Sequence, residues 1–118
     1  MTDRFERDLI RGSLDLMVLS VLSRESKYGY VIQQSVDAST GGRVKLPAGT
    51  LYPLLHKLEA DRLIKSRWES STGRRRKWYE LTAKGRKRLE KQTHQWTSFA
   101  ECVSGVLAGV LKPTTKPT

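Results

Sequence analysis

The segment Gly49-Thr50-Leu51-Tyr52-Pro53-Leu54-Leu55-His56-Lys57-Leu58 constrains this chain more than any other. Leu51, Leu54, Leu55 and Leu58 recur at i, i+3, i+4 and i+7, the spacing of one buried helical face. The remaining surface carries Thr50, Tyr52, His56 and Lys57. These are hydrogen-bonding and cationic groups, not the Glu/Lys mixture of an ordinary solvated helix. A strand-like run, Leu63 to Trp68, comes next. It leads through the turn Ser70-Ser71-Thr72-Gly73-Arg74-Arg75-Arg76 into a second run, Lys77 to Leu81.

Charge falls on the same stretch. The formal net charge is +10, and residues 43–91 hold 15 Lys/Arg against 5 Asp/Glu. Residues 1–42 hold 5 against 6, and residues 92–118 hold 2 against 1. A field concentrated in this way attracts a polyanion and speeds encounter with it. A polar-faced helix followed by a basic-tipped hairpin suits the two grooves of duplex DNA, which is the pattern of a winged helix-turn-helix. The predicted fold class is therefore mainly α with a small β-hairpin. The length of 118 residues allows one domain, and a core this small gains from oligomerisation.

A first helix is predicted from about Arg4 to Ser23, with Leu14, Met17, Val18, Val21 and Leu22 inward. Leu16 and Leu19 widen that face, so it should be buried on more than one side. Arg24 to Lys27 reads as a polar break. A second helix runs from about Tyr28 to Ala38 with Val31, Ile32 and Val36 inward, and Thr40-Gly41-Gly42 ends it. Arg43 to Leu46 is extended, because the residue before a proline avoids helical angles. The third helix begins near Pro47, and Pro53, about a turn further in, is expected to leave an irregularity. Trp68 and Trp78 are expected to pack within the hairpin or over its base.

Thr82 reads as the N-cap of a long final helix. Leu89, Trp96, Val103 and Val110 recur every seven residues, and Phe99 and Val106 fill two of the intervening d positions. This coiled-coil-like seam has no partner of similar length in the chain, so a two-fold dimer is expected to cover it. Gln92 at the remaining d position and Gly105 and Gly109 near the end weaken the pattern. The predicted organisation is a DNA-binding unit over 1–81, a dimerisation helix over 82–111 and a disordered tail over 112–118.

Other classes fit poorly. The single Cys102 excludes an intramolecular disulfide and a cysteine-based metal site within one chain. His56 and His94 have no companions that make a triad or metal site recognisable, and there is no glycine-rich phosphate loop. No enzymatic activity, metal or cofactor is expected. The run Leu14 to Leu19 is too short for a membrane span and lacks signal-peptide flanks, which points to the cytoplasm.

GTLYPLLHKLE, LIKSRW, the basic turn and WYELTAKGR, together with LIRGSLDLMVLSVL and Tyr28-Gly29-Tyr30, resemble the PadR family of transcriptional regulators. The likeness covers roughly residues 9–111 and is to the smaller subfamily, with a single C-terminal helix. It implies a dimeric winged-helix repressor, released in some relatives by small aromatic or hydrophobic effectors. DNA-facing positions would be Gly49, Thr50, Tyr52, His56 and Lys57 on the third helix and Arg74, Arg75 and Arg76 on the wing. The dimer interface would use Leu89, Trp96, Phe99, Val103, Val106 and Val110, with Trp96 at the level of the effector cavity. Relatives often place Ser before the helix-starting Pro and Gly before the Leu-Ile pair; here Leu46-Pro47 and Asp61-Arg62 stand there.

The expected partners are double-stranded DNA with an imperfectly palindromic operator, a second copy of the chain and a small-molecule effector, with no membrane. Two readings stay open beside this one. One is a winged helix that binds nucleic acid without sequence preference; the other is a protein-interaction module with a basic face. Tyr52 also has two readings, as a phosphate contact or as a side chain half-buried on its own domain, and Trp96 is either dimer core or ligand platform.

Overall fold

The computed structural model describes residue 10, residues 12–70 and residues 73–111. Most of the expected first helix before Leu14, the turn residues Ser71 and Thr72, and the tail 112–118 lie outside the described residues. Four helices and three strands are described: α1 (Leu14–Leu22), β1 (Lys27–Tyr28), α2 (Gly29–Ser39), α3 (Ala48–Ala60), β2 (Ile64–Glu69), β3 (Arg76–Leu81) and α4 (Ala83–Leu107). The fold is mainly helical with a small antiparallel sheet, as the sequence pattern requires.

α1 buries Val18, Leu19 and Leu22 in the core, while Leu14, Met17 and Val21 pack partly covered around it. Its breadth has the expected cause, since it meets both α2 and α4. α2 adds Ile32 and Val36, and α3 adds Leu51, Leu55 and Leu58, with Leu54 at the margin. Between them Val44 and Leu46 are buried on a segment without regular structure. Gln33 Nε2 donates to the Leu46 carbonyl at 2.8 Å, satisfying an acceptor that no ladder reaches. Gly41 and Gly42, at φ +63° and +81°, turn the chain after α2.

α3 continues through Pro53 to Ala60, so the proline does not end the helix. Pro53 is early enough that the hydrogen bond it forfeits would have gone to the Gly49 carbonyl, in an exposed first turn where water can serve. The helix ends in a Schellman motif. Leu63 N–H donates to Leu58 O at 3.0 Å and Arg62 N–H to Glu59 O at 2.9 Å, with Arg62 left-handed at φ +63°. Glycine is the usual residue there, and the arginine departs from it.

The hairpin is β2 against β3, in register Ile64↔Leu81, Ser66↔Tyr79 and Trp68↔Lys77. A third strand was not anticipated. Lys27 and Tyr28 pair with Tyr79 and Trp78, giving the sheet order β1-β3-β2. The polar break and helix start expected at Arg24–Tyr28 thus include a two-residue strand, and α2 begins one residue later. The alternating pairs place Trp68 and Trp78 on opposite faces, because Trp68 stands opposite Lys77 and Trp78 opposite Arg67. They do not form a common cluster.

Thr82 caps α4, its Oγ1 accepting from Gly85 N–H at 2.9 Å. Leu89 packs against the core of its own chain, so it is partly covered within the protomer rather than free for a seam. The helix stops at Leu107, and Gly109 at φ +96° redirects the chain. Val110, expected as the last a position, therefore lies outside the helical register.

Candidate nucleic-acid interface

α3 exposes Gly49, Thr50, Tyr52, His56 and Lys57. Helical spacing separates them. Tyr52 and His56 are four apart and share a face, which forms one wall of a cleft of about 790 Å³. The other wall is the wing, with Trp68, Arg74, Arg75, Arg76 and Lys77. Two of the three regions predicted from sequence, the helix face and the arginine turn, thus border one groove.

Tyr52 is both anchored and available. A Cβ on Gly29 would overlap the Tyr52 hydroxyl and lie 2.9 Å from Cζ, so the ring in this position rests on the start of α2 against a residue without a side chain. Tyr52 remains 38% exposed. It is half-buried on its own domain and also lines the cleft.

Lys57 points elsewhere. Its Nζ lies 3.8 Å from Asp15 Oδ2 on α1. It borders a second recess, of about 430 Å³, with Gln92, Gln95, Trp96 and Phe99 of α4. The structure therefore separates Lys57 from Tyr52 and His56. Both partners are substantially exposed, so this ion pair adds little stability.

The wing carries two aromatic–cation layers, which sequence spacing alone did not reveal. On the core-side face, Trp68 is 54% exposed, with the Arg75 guanidinium 4.3 Å and the Lys77 ammonium 5.6 Å from its ring centroid. On the other face, the Tyr28 and Trp78 rings lie 4.1 Å apart. Arg76 stands over Tyr28 at 5.0 Å and Arg67 over Trp78 at 5.7 Å. Glu69 ties this second layer together. It accepts from Tyr28 Oη at 2.7 Å and from Trp78 Nε1. The hydrogen bond to Glu69, more than partial burial or the carboxylate charge, holds the Tyr28 phenol above its ordinary pKa. Burial first, then the Tyr52 and Glu59 charges, raises that of Tyr79.

The long helix presents an apolar face to solvent: Trp96, Phe99, Val103, Val106 and Leu107 are all exposed, Phe99 at 67% and Val106 at 83%. Among the described residues no helix is long and apolar enough to cross a membrane. No group of three or more His, Cys, Asp or Glu side chains among them is placed to hold a metal ion.

A buried helical core, an exposed helix beside a basic hairpin, and a capped helix returning from the hairpin define a winged helix-turn-helix DNA-binding protein. Residues 18–91 match the "Transcriptional regulator PadR-like family", and the chain belongs to that family. It is similar to the transcriptional regulator Rv3488 of Mycobacterium tuberculosis, 33% identical over 99 residues that span 84% of this chain and 90% of that one. Among solved structures, a transcriptional regulator from Clostridium thermocellum superposes with TM-score 0.79 at 29% identity, covering 86% of this chain and 96% of that one. A PadR family regulator from Eggerthella lenta superposes with TM-score 0.76 at 36% identity, covering 86% and 88%. The family is one of transcriptional regulators, not enzymes, and membership implies DNA binding.

Proposed function

We propose that this chain is a homodimeric, sequence-specific DNA-binding repressor. The observation that carries the reading is the groove between Tyr52 and His56 on α3 and Arg74, Arg75 and Arg76 on the wing. An exposed helix surface suits base edges and phosphates of the major groove, and the wing arginines suit flanking phosphates or a narrow minor groove. Gly49, Thr50, Tyr52 and His56 are the helix contacts in this proposal. Lys57, drawn toward Asp15, is assigned a marginal phosphate contact at most.

The exposed apolar face of α4 supports a dimer. Trp96, Phe99, Val103 and Val106 are its proposed centre, with Leu89 partly spent on its own core and Val110 beyond the helix. Homodimerisation is typical of the family, and two copies would present two recognition helices to half-sites about one turn apart. The recess bordered by Trp96 supports an effector site for a small aromatic or hydrophobic molecule. Gln92 Oε1 there is buried and without a hydrogen-bond partner among the described residues. The three relatives named above are bacterial, where DNA lies in the cytoplasm, and the proposal places this protein there.

Selection of bound sequences from a random duplex pool tests the reading. An enriched imperfect palindrome is expected. Uniform retention of all sequences would leave a non-specific binder, and no salt-dependent retention would leave a protein-interaction module. A reporter promoter carrying the selected site then checks repression.

A further inference from the structure

We infer that Trp68 is a positioning residue for DNA binding: its indole face holds Arg75 in place on the wing before DNA arrives. The inference rests on the DNA-binding reading of the groove and adds to it a residue absent from the predicted contacts.

Trp68 and Trp78 stand at similar heights on the hairpin but in opposite circumstances. Trp78 is stacked with Tyr28, and its indole N–H is taken by Glu69. In that layer the Glu69 carboxylate takes both aromatic donors and offsets part of the charge of Arg67 and Arg76, and the stack fastens β1 to the wing. Trp68 lies at the far end of the strand face that begins in the core with Ile64 and Leu81. It has left the core, is 54% exposed, and its indole N–H makes no hydrogen bond among the described residues. A single exposed tryptophan needs no explanation by itself. This one has two cations on its ring, and it borders the groove opposite α3.

The geometry explains why an indole is useful there. An arginine in a hairpin turn loses substantial side-chain entropy when fixed against a phosphate. A guanidinium resting on an aromatic face is already restricted, and the contact uses its face rather than its N–H edge. The donors stay free for a phosphate oxygen or a minor-groove acceptor. An acidic residue would hold the arginine as well but would consume its donors and cancel its charge. Among the described residues no carboxylate lies within ion-pair distance of Arg75. Trp68 therefore orders the arginine at no cost in charge.

The test compares Trp68→Phe with Trp68→Leu, each alone and combined with Arg75→Ala. Both replacements keep apolar bulk, and only Phe keeps an aromatic face. The probe is a fluorescein-labelled duplex from the selected pool, read by anisotropy, with thermal melts confirming that each variant is folded. Trp68→Leu is expected to weaken binding about two- to fivefold, the scale of a cation–aromatic contact at an exposed site. Trp68→Phe should stay near wild type. In the Arg75→Ala background the Leu and Phe variants should bind alike. An equal loss from Trp68→Leu with and without Arg75, or a Phe variant as weak as the Leu variant, overturns the inference. Proton NMR of the free protein gives an independent readout, because ring current should shift the Arg75 δ-methylene upfield in wild type and not in Trp68→Leu. An unshifted Arg75 sinks the inference while leaving the DNA-binding reading intact. Wild-type protein that binds no duplex would sink that reading itself.

Discussion

Gly85 meets the backbone of Leu63 so closely that no side chain fits between them. A Cβ on Gly85 would overlap the Leu63 carbonyl oxygen, lie 2.9 Å from the carbonyl carbon and lie 2.8 Å from Leu81 Cδ1. Around this contact Thr82 N–H donates to Leu63 O at 3.1 Å, and Thr82 Oγ1 lies 2.7 Å from Arg62 O. The Leu81-Thr82-Ala83-Lys84-Gly85 segment thus fastens α4 to the turn that ends α3. The obstacle is backbone, which cannot swing aside as a long side chain would. Gly85→Ala is expected to destabilise the fold by about 3 kcal/mol, at the upper end for overpacking. Urea unfolding midpoints check this, and a loss below about 1 kcal/mol would show that α4 can shift without strain.

Arg62 predicts the opposite sign. It occupies the left-handed position of the Schellman motif, where an L side chain costs about 1–2 kcal/mol. Its side chain is exposed, so its removal forfeits little packing. Glycine at this position also gains entropy in the unfolded chain, which offsets part of the benefit. Arg62→Gly should therefore raise stability by about 0.5–1 kcal/mol, seen as a higher unfolding midpoint. An unchanged or lower midpoint would mean that the arginine has a compensating contact.

The parts of the fold legible in the sequence were those with a repeating period. The α3 face shows because four leucines sample one helical stripe, and α4 shows because Thr82 caps an uninterrupted run. β1 could not be read that way. Two residues carry no period, and Tyr28 finds its partner Trp78 across fifty positions. The separation of the tryptophans likewise depends on strand register, which is fixed by pairing rather than by either strand alone. Lys57 lies on the polar surface of α3 as spacing requires, but spacing cannot reveal that Asp15 of α1 stands beside it. The arginine-rich turn was visible as charge; its ordering on Trp68 and Tyr28 depends on the hairpin geometry.

Tyr52 is the helix residue whose contribution can be dissected most cleanly. The hydroxyl end of its ring packs over Gly29 while the residue stays 38% exposed and lines the cleft, so one substitution mixes two effects. Tyr52→Phe retains the ring and removes the hydroxyl. Tyr52→Ala is expected to weaken binding to the selected duplex by about 1 kcal/mol or more, with Tyr52→Phe accounting for much of that loss. Unchanged affinity in folded Tyr52→Ala would remove this residue from the interface.

Replacing Arg74, Arg75 and Arg76 together by Ala should weaken binding across many sequences and flatten its salt dependence. Each phosphate no longer neutralised lowers the slope of log affinity against log salt by about 0.9 in magnitude. A drop of up to about 3 is expected if all three arginines engage phosphates. An unchanged slope would show that the wing stays in solvent when DNA binds.

The apolar face of α4 carries the last prediction. Trp96 is 48% exposed in the protomer and is followed along the same seam by Phe99, Val103 and Val106. A second copy covering this face would bury the indole at a packed contact, where truncation to Ala costs about 3–5 kcal/mol. A loss at the lower end already weakens the dimer by more than about a hundredfold. Trp96→Ala should therefore sediment as monomer at concentrations where wild type is dimeric, and cooperative binding to two half-sites should fail with it. The recess shared by Trp96, Gln92 and Lys57 offers the contrasting outcome. A mutant that stays dimeric and loses only its release from DNA by an aromatic compound would assign the indole to an effector site. Sedimentation of both proteins, with and without such a compound, separates the two, and a wild-type monomer at micromolar concentration would overturn the dimer.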